Sequence, residues 1–91
     1  MTSLRATTTG VVQGVGYRWF VRDAALAVGI GGWVRNRTDG SVTAELHGEA
    51  DAVEQVLAAM RRGPAHARVD AVDTTPVPYV AHAAFHILPT E

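Results

Sequence analysis

Gly32-Trp33-Val34-Arg35-Asn36-Arg37-Thr38-Asp39-Gly40-Ser41-Val42-Thr43-Ala44-Glu45-Leu46-His47 is the stretch on which the fold turns. Two runs, Gly32 to Arg37 and Ser41 to His47, flank Asp39-Gly40, a dipeptide favoured in hairpin turns because both residues tolerate positive φ. In the second run Val42, Ala44 and Leu46 alternate with Thr43, Glu45 and His47, the period-two pattern of a strand with one buried face. A β-hairpin therefore occupies the middle of the chain.

Upstream of it, Leu4 to Val12 is rich in Thr and Val and runs into Gly14 and Gly16, a strand entering a turn. Arg18 to Val28 follows as a helix, with Trp19, Phe20, Ala24, Ala27 and Val28 as its expected inward stripe and Gly29 as its stop. Downstream, Ala50 to Arg62 sets Val53, Val56, Leu57 and Met60 on one helical face, with acids early, arginines late and Gly63-Pro64 closing it. Arg68 to Thr74 has strand composition, but Val69 and Val72 are three apart, so either a bulge intervenes or the period is not two. After Pro76 and Pro78, the run Ala83, Phe85, Ile87 alternates with Ala84 and His86, which predicts a short final strand near a sheet edge.

The order is β-α-β-β-α-β plus that edge strand. Right-handed crossovers around a central hairpin then give an α+β, split βαβ arrangement: an antiparallel sheet carrying both helices on one face. Ninety-one residues fit one domain, 1–91, with no repeat or linker.

Composition removes several function classes. The formal net charge of -1 gives no general pull toward nucleic acid. All basic residues are arginine, so Schiff-base chemistry and the lysine of nucleotide-binding P-loops are excluded. Without cysteine there is no disulfide, thiolate nucleophile or zinc-thiolate site, which agrees with a cytoplasmic setting. The longest apolar stretch, Ala24 to Val34, contains three glycines and falls short of the roughly 20 residues a membrane span needs. Met1 to Thr9 lacks the apolar core of a signal peptide, so a soluble, unexported chain is expected.

Chemistry concentrates at Gly10-Val11-Val12-Gln13-Gly14-Val15-Gly16-Tyr17-Arg18, where the first strand becomes the first helix. Successive N–H groups converge at such a junction, and two glycines let the chain turn sharply and approach a bound group. The helix N-terminus adds partial positive charge. Arg18 in the first turn opposes that dipole and requires compensation, which a bound dianion would supply through the guanidinium fork; Asp23 offers a plainer alternative. An isolated Gly-x-Gly followed by arginine is more often a tight turn and a solvated side chain.

A second segment tips that balance. Together with Gly32-Trp33-Val34-Arg35-Asn36 and Asp39-Gly40-Ser41-Val42, the first motif closely resembles the acylphosphatase family, whose two signatures occur in this order. The similarity continues through Arg61-Arg62-Gly63-Pro64, Ala67-Arg68-Val69 and Phe85-His86-Ile87. Val11, where many members carry a basic or polar residue, and the alanine-rich stretch around Ala81 to Ala84 depart from the pattern. The resemblance implies a ferredoxin-like sandwich and hydrolysis of acyl phosphates to carboxylate and phosphate, with no metal or cofactor. It further implies that Arg18 binds phosphate with the amides of Gly14, Val15, Gly16, Tyr17 and Arg18, and that Asn36 positions the attacking water. Tyr17 and Val15 would contribute backbone more than side chain. A monomer acting on a small molecule, without nucleic acid or membrane, is expected.

These residue types suit that reaction. A carboxylate leaving group is a weak base, so the P–O bond can break without a strong general acid. A loose phosphoryl transition state spreads charge over equatorial oxygens, where amides and one arginine stabilise it. Asn36 cannot take a proton, but its amide can orient water while a substrate phosphate oxygen accepts the proton. By itself Asn36 is a common strand-end turn residue.

Other features carry less. His82 and His86 on one strand would lie roughly 13 Å apart, too far for a shared metal, and His47 and His66 have no partners and read as surface histidines. Trp19, Phe20 and Trp33 read as core, Arg61 and Arg62 as a helix C-terminal offset, and Asp70 and Asp73 as solvated. The alternatives to an enzyme are a non-catalytic anion-binding or regulatory module on the same scaffold and an RNA-binding sheet, which would need exposed aromatics and a basic face.

Overall fold

The computed structural model describes every residue except Ala83, so that part of the expected final strand lies outside the described residues. The elements are β1 (Thr2–Val11), α1 (Tyr17–Val28), β2 (Gly31–Asn36), β3 (Val42–Gly48), α2 (Ala50–Arg62), β4 (Arg68–Pro76) and β5 (Phe85–Ile87). They form a five-stranded sheet in the order β4-β1-β3-β2-β5. β3 therefore sits between β1 and β2, and β1 between β3 and β4, the interleaving that two right-handed crossovers around a hairpin produce.

The pairs β1·β3, β2·β3 and β1·β4 are antiparallel, but β5 runs parallel to β2. The sheet is the expected antiparallel one with a short extra edge strand, whose parallel direction the sequence left open. The reason for that direction is the route taken by residues 77–82 and Ala84. Val77 N–H donates to Ser3 O, Val80 N–H reaches His47 Nδ1, and Gly32 N–H donates to Ala84 O. The segment thus passes over β1 and β3 on the face away from the helices, and delivers the chain to the far edge.

The ambiguity in the fourth strand resolves as a bulge. Thr9 pairs with Ala71 and Gly10 with Val69, so Asp70 is passed over and Val69 and Val72 both pack against the core. Asp70 and Asp73 are exposed, as expected.

The core lies between the sheet and its helices: Ala6, Val34, Val42, Ala44 and Leu46 from strands, Tyr17, Val21 and Ala25 from α1, and Val53, Val56, Leu57 and Met60 from α2. The inward stripe of α1 differs from the expected one. Trp19 is 58% exposed with the Arg22 guanidinium 5.5 Å from its ring centre, and Ala27 is exposed, although Ala24 and Val28 do pack on the core. Phe20 is half-buried, stacked on Tyr17 and beneath Arg62; Trp33 is half-buried under Arg35. None of the three belongs to the buried core: Trp19 and Phe20 because buried Tyr17 sets the phase of α1, and Trp33 because it lies on the face of β2 opposite buried Val34. No helix among the described residues is long and apolar enough to cross a membrane.

Candidate active site

The site is built at the end of the sheet where β1 stops. Val12 is buried and anchors the exit from the strand. Gln13 then ties the following loop to the hairpin: its Nε2 donates to Arg37 O at 2.7 Å and Ser41 O at 2.9 Å. This links the loop to the residue directly after Asn36. The motif contains Gln13, but its role as a tie between segments was not legible; a side-chain amide with two donors was the one available signal.

Gly14 and Gly16 adopt φ of 74° and 79°, in the left-handed region that other residues enter at a cost. A Cβ at either position would meet nothing within 4 Å, so it is conformation, not crowding, that calls for glycine. Gly16 caps α1 without a side-chain hydrogen bond, and the first turn holds no acid. The leading N–H groups of the helix thus lack a side-chain partner. Arg18, half-buried in that turn, forms no side-chain hydrogen bond or ion pair among the described residues. Asp23, the plainer compensation, pairs instead with Arg22 at 3.8 Å.

Tyr17 fastens this helix end to the sheet. Its hydroxyl donates to Met60 O at 2.9 Å and lies 3.0 Å from Thr8 Oγ1, which completes the chain as donor. Burial pushes the phenol above its ordinary value, and the Thr8 bond only partly opposes this. With that side chain committed to the core, residue 17 can offer a ligand only its backbone, and half-buried Val15 likewise packs on the core.

Asn36 is the last residue of β2, pairs with Val42 and shares the face of buried Val34, the face on which α1 packs. Its Oδ1 is buried and has no hydrogen-bond partner among the described residues. The hairpin beyond is rigid: Arg37 N–H donates to Ser41 O, while Asp39 Oδ1 accepts from Ser41 N–H and Oγ–H at 2.9 and 2.6 Å. Those bonds hold the Asp39 carboxyl below its usual range. A hollow of about 150 Å³ opens beside it, lined by Thr9, Gly10, Asp39, Gly40 and Ser41. No residue of the 14–18 loop lines that hollow.

Residues 4–87 match the family described as Acylphosphatase. The chain belongs to the acylphosphatase family. An acylphosphatase of Nitrobacter hamburgensis is 51% identical over 82 residues, covering 90% of this chain and 81% of that relative. Among solved structures, the acylphosphatase of Bacillus subtilis superposes with a TM-score of 0.93 at 32% identity, covering 97% and 99% of the two chains. One from Coxiella burnetii gives 0.91 at 30% identity, covering 96% and 92%.

None of the four histidines lies in the 14–18 loop or in the 36–41 hairpin. His47, expected at the surface, is 3% exposed beneath residues 79–82, with its ring 4.6 Å from that of His82. His86 lies exposed on β5 and His66 in the turn before β4.

Proposed function

We propose that this acylphosphatase hydrolyses the carboxyl-phosphate bond of small acyl phosphates with Arg18 and Asn36 as its catalytic residues. The observation that carries the assignment is Asn36 Oδ1, a buried acceptor left without a partner on the face where α1 begins. An unsatisfied buried carbonyl costs roughly 1 to 3 kcal/mol, so its retention calls for a use that the folded chain alone does not provide. An incoming water that donates to it would remove the cost.

The phosphate dianion sits against the N–H groups of Gly14 to Arg18, with the Arg18 guanidinium on two of its oxygens. Asn36 holds a water in line with the bond to be broken. The water oxygen forms a bond to phosphorus, the bond between phosphorus and the acyl oxygen breaks, and its electron pair leaves on the carboxylate. The proton of the attacking water goes to a phosphate oxygen. Charge that accumulates on the equatorial oxygens is met by dipoles already in place, so little reorganisation is needed.

Because recognition is confined to phosphate, the acyl group is secondary. The 91-residue unit acts as a monomer in the cytoplasm, on a small molecule and not on nucleic acid; near-neutral charge and the lack of cysteine support that setting. Benzoyl phosphate hydrolysis in excess chelator, with inorganic phosphate as competitor, tests the proposal. Turnover with competitive inhibition is expected, and no turnover would overturn it.

A further inference from the structure

Asn36 must hold one orientation to aim a water, yet it ends its strand and its side-chain oxygen has no hydrogen-bond partner among the described residues. The hairpin and Gln13 hold the backbone just beyond it on the β3 side, which leaves its other edge to be fixed. The chain after β5 supplies this. Leu88 N–H donates to Val34 O at 2.9 Å and Glu91 N–H to Asn36 O at 3.2 Å, so the parallel ladder on β2 runs on to the catalytic residue.

Arg35 and Arg37 bracket Asn36, and by strand alternation both project from the opposite face. Both end on one carboxylate: Arg35 NH1 lies 3.1 Å from Glu91 Oε2, and Arg37 NH2 lies 3.0 Å from Oε1. Arg35 Nε also donates to Pro89 O at 3.2 Å. A single side chain therefore cross-links the two neighbours of Asn36, while its own N–H holds the Asn36 carbonyl.

We infer that residues 88–91 are a strap that orients Asn36 for the proposed reaction, with Glu91 as its positioning residue. The inference rests on Asn36 acting as assigned above. Half-exposed ion pairs of this kind add little to stability, so the strap works on geometry. Small misplacement of a reacting group is costly to turnover, and affinity for phosphate, which is held elsewhere, is untouched.

The test is a chain ending at Leu88, and Glu91→Gln, each made in the natural and Asn36→Ala backgrounds. Truncation is expected to lower kcat for benzoyl phosphate about threefold to tenfold with KM and phosphate inhibition unchanged, and Glu91→Gln less so. In Asn36→Ala, truncation is expected to leave the residual kcat where it is, because the strap's target is gone. NMR order parameters of the Asn36 side-chain amide, which need no turnover, are expected to fall on truncation. An equal kcat loss in both backgrounds, or an unchanged order parameter, would overturn the strap. Full activity in Arg18→Ala and Asn36→Ala would instead overturn the assigned function.

Discussion

Two polar regions of this small sheet are built by opposite rules. On the face away from the helices, His47 Nδ1 lies 2.8 Å from Ser3 Oγ and Nε2 lies 3.1 Å from Glu45 Oε1, while Arg5 holds the other Glu45 oxygen and Tyr79 and His82 cover the ring. Every member there has a partner. At the end of β1 and β2 stand a cation, a set of helix N–H groups and a buried amide oxygen that have no side-chain hydrogen-bond partner among the described residues. Satisfied polar clusters rigidify a fold, whereas unsatisfied ones store a requirement that a ligand can meet.

The sharpest way to break the contrast is to remove the cation. Arg18→Ala is expected to reduce kcat/KM for benzoyl phosphate by about a hundredfold to a thousandfold, the scale of losing one preorganised charge-stabilising donor. Its Tm should hold, because no hydrogen bond or ion pair of the guanidinium among the described residues is lost. Steady-state kinetics beside a thermal melt checks both. Asn36→Ala comes next. We expect kcat to fall about tenfold to a hundredfold with KM and phosphate inhibition little changed, since the role proposed for Asn36 is to hold water and not phosphate. Stability should stay level or rise, because the substitution deletes an unsatisfied acceptor. A clear drop in Tm would show that Asn36 is structural after all.

How much of this was legible follows from the range of each interaction. Asp39-Gly40, the alternation of Val42, Ala44 and Leu46, and the stripe of α2 are local patterns; the turn and the stripe appear as read, and Val42, Ala44 and Leu46 do face the core, but Thr43 and His47 on the other face of β3 are buried too. The Val69 and Val72 spacing left either a bulge or a period other than two, and the register against β1 shows that it is a bulge, at Asp70. Arg18 and Asn36 were reached through the family's motifs; composition and periodicity alone left each as a surface or turn residue. Long-range contacts were beyond such patterns. Tyr17 is tied to Met60, 43 positions away, and His47 to Ser3, 44 away. Nothing near His47 in sequence says that residues 79–82 will cross over it, so it read as one more surface histidine. Trp19 failed for a related reason: hydrophobicity gives a helix its period, but the anchoring of Tyr17 sets its phase.

The satisfied region should answer the opposite way to the site. His47→Ala leaves Ser3 and the buried edge of Glu45 without a partner and uncovers the seat of residues 79–82. A loss of about 1 to 3 kcal/mol in chemical denaturation is expected, the cost of orphaned buried polar groups, with kcat/KM per folded molecule unchanged. Activity that fell with stability intact would erase the distinction between the two regions.

The smallest expected effect is in the pH dependence of that cluster. Burial works against the charge on Glu45, but hydrogen bonds from Arg5 and His47 and their Coulombic attraction outweigh it and hold the carboxyl below its ordinary value. A carboxyl depressed on folding binds its proton more readily in the unfolded chain. Its contribution is therefore complete above the ordinary glutamate range and is lost as pH falls through the folded value. The full chain should lose stability on acidification across that window, and Glu45→Gln should flatten this part of the profile while lowering stability at neutral pH. Asp39, likewise depressed by its bonds to Ser41, would remain to titrate in the variant, so the flattening is partial. Identical acid limbs in the two proteins would mean that Glu45 gains no net support from its neighbours, and that the covered cluster is held by packing alone.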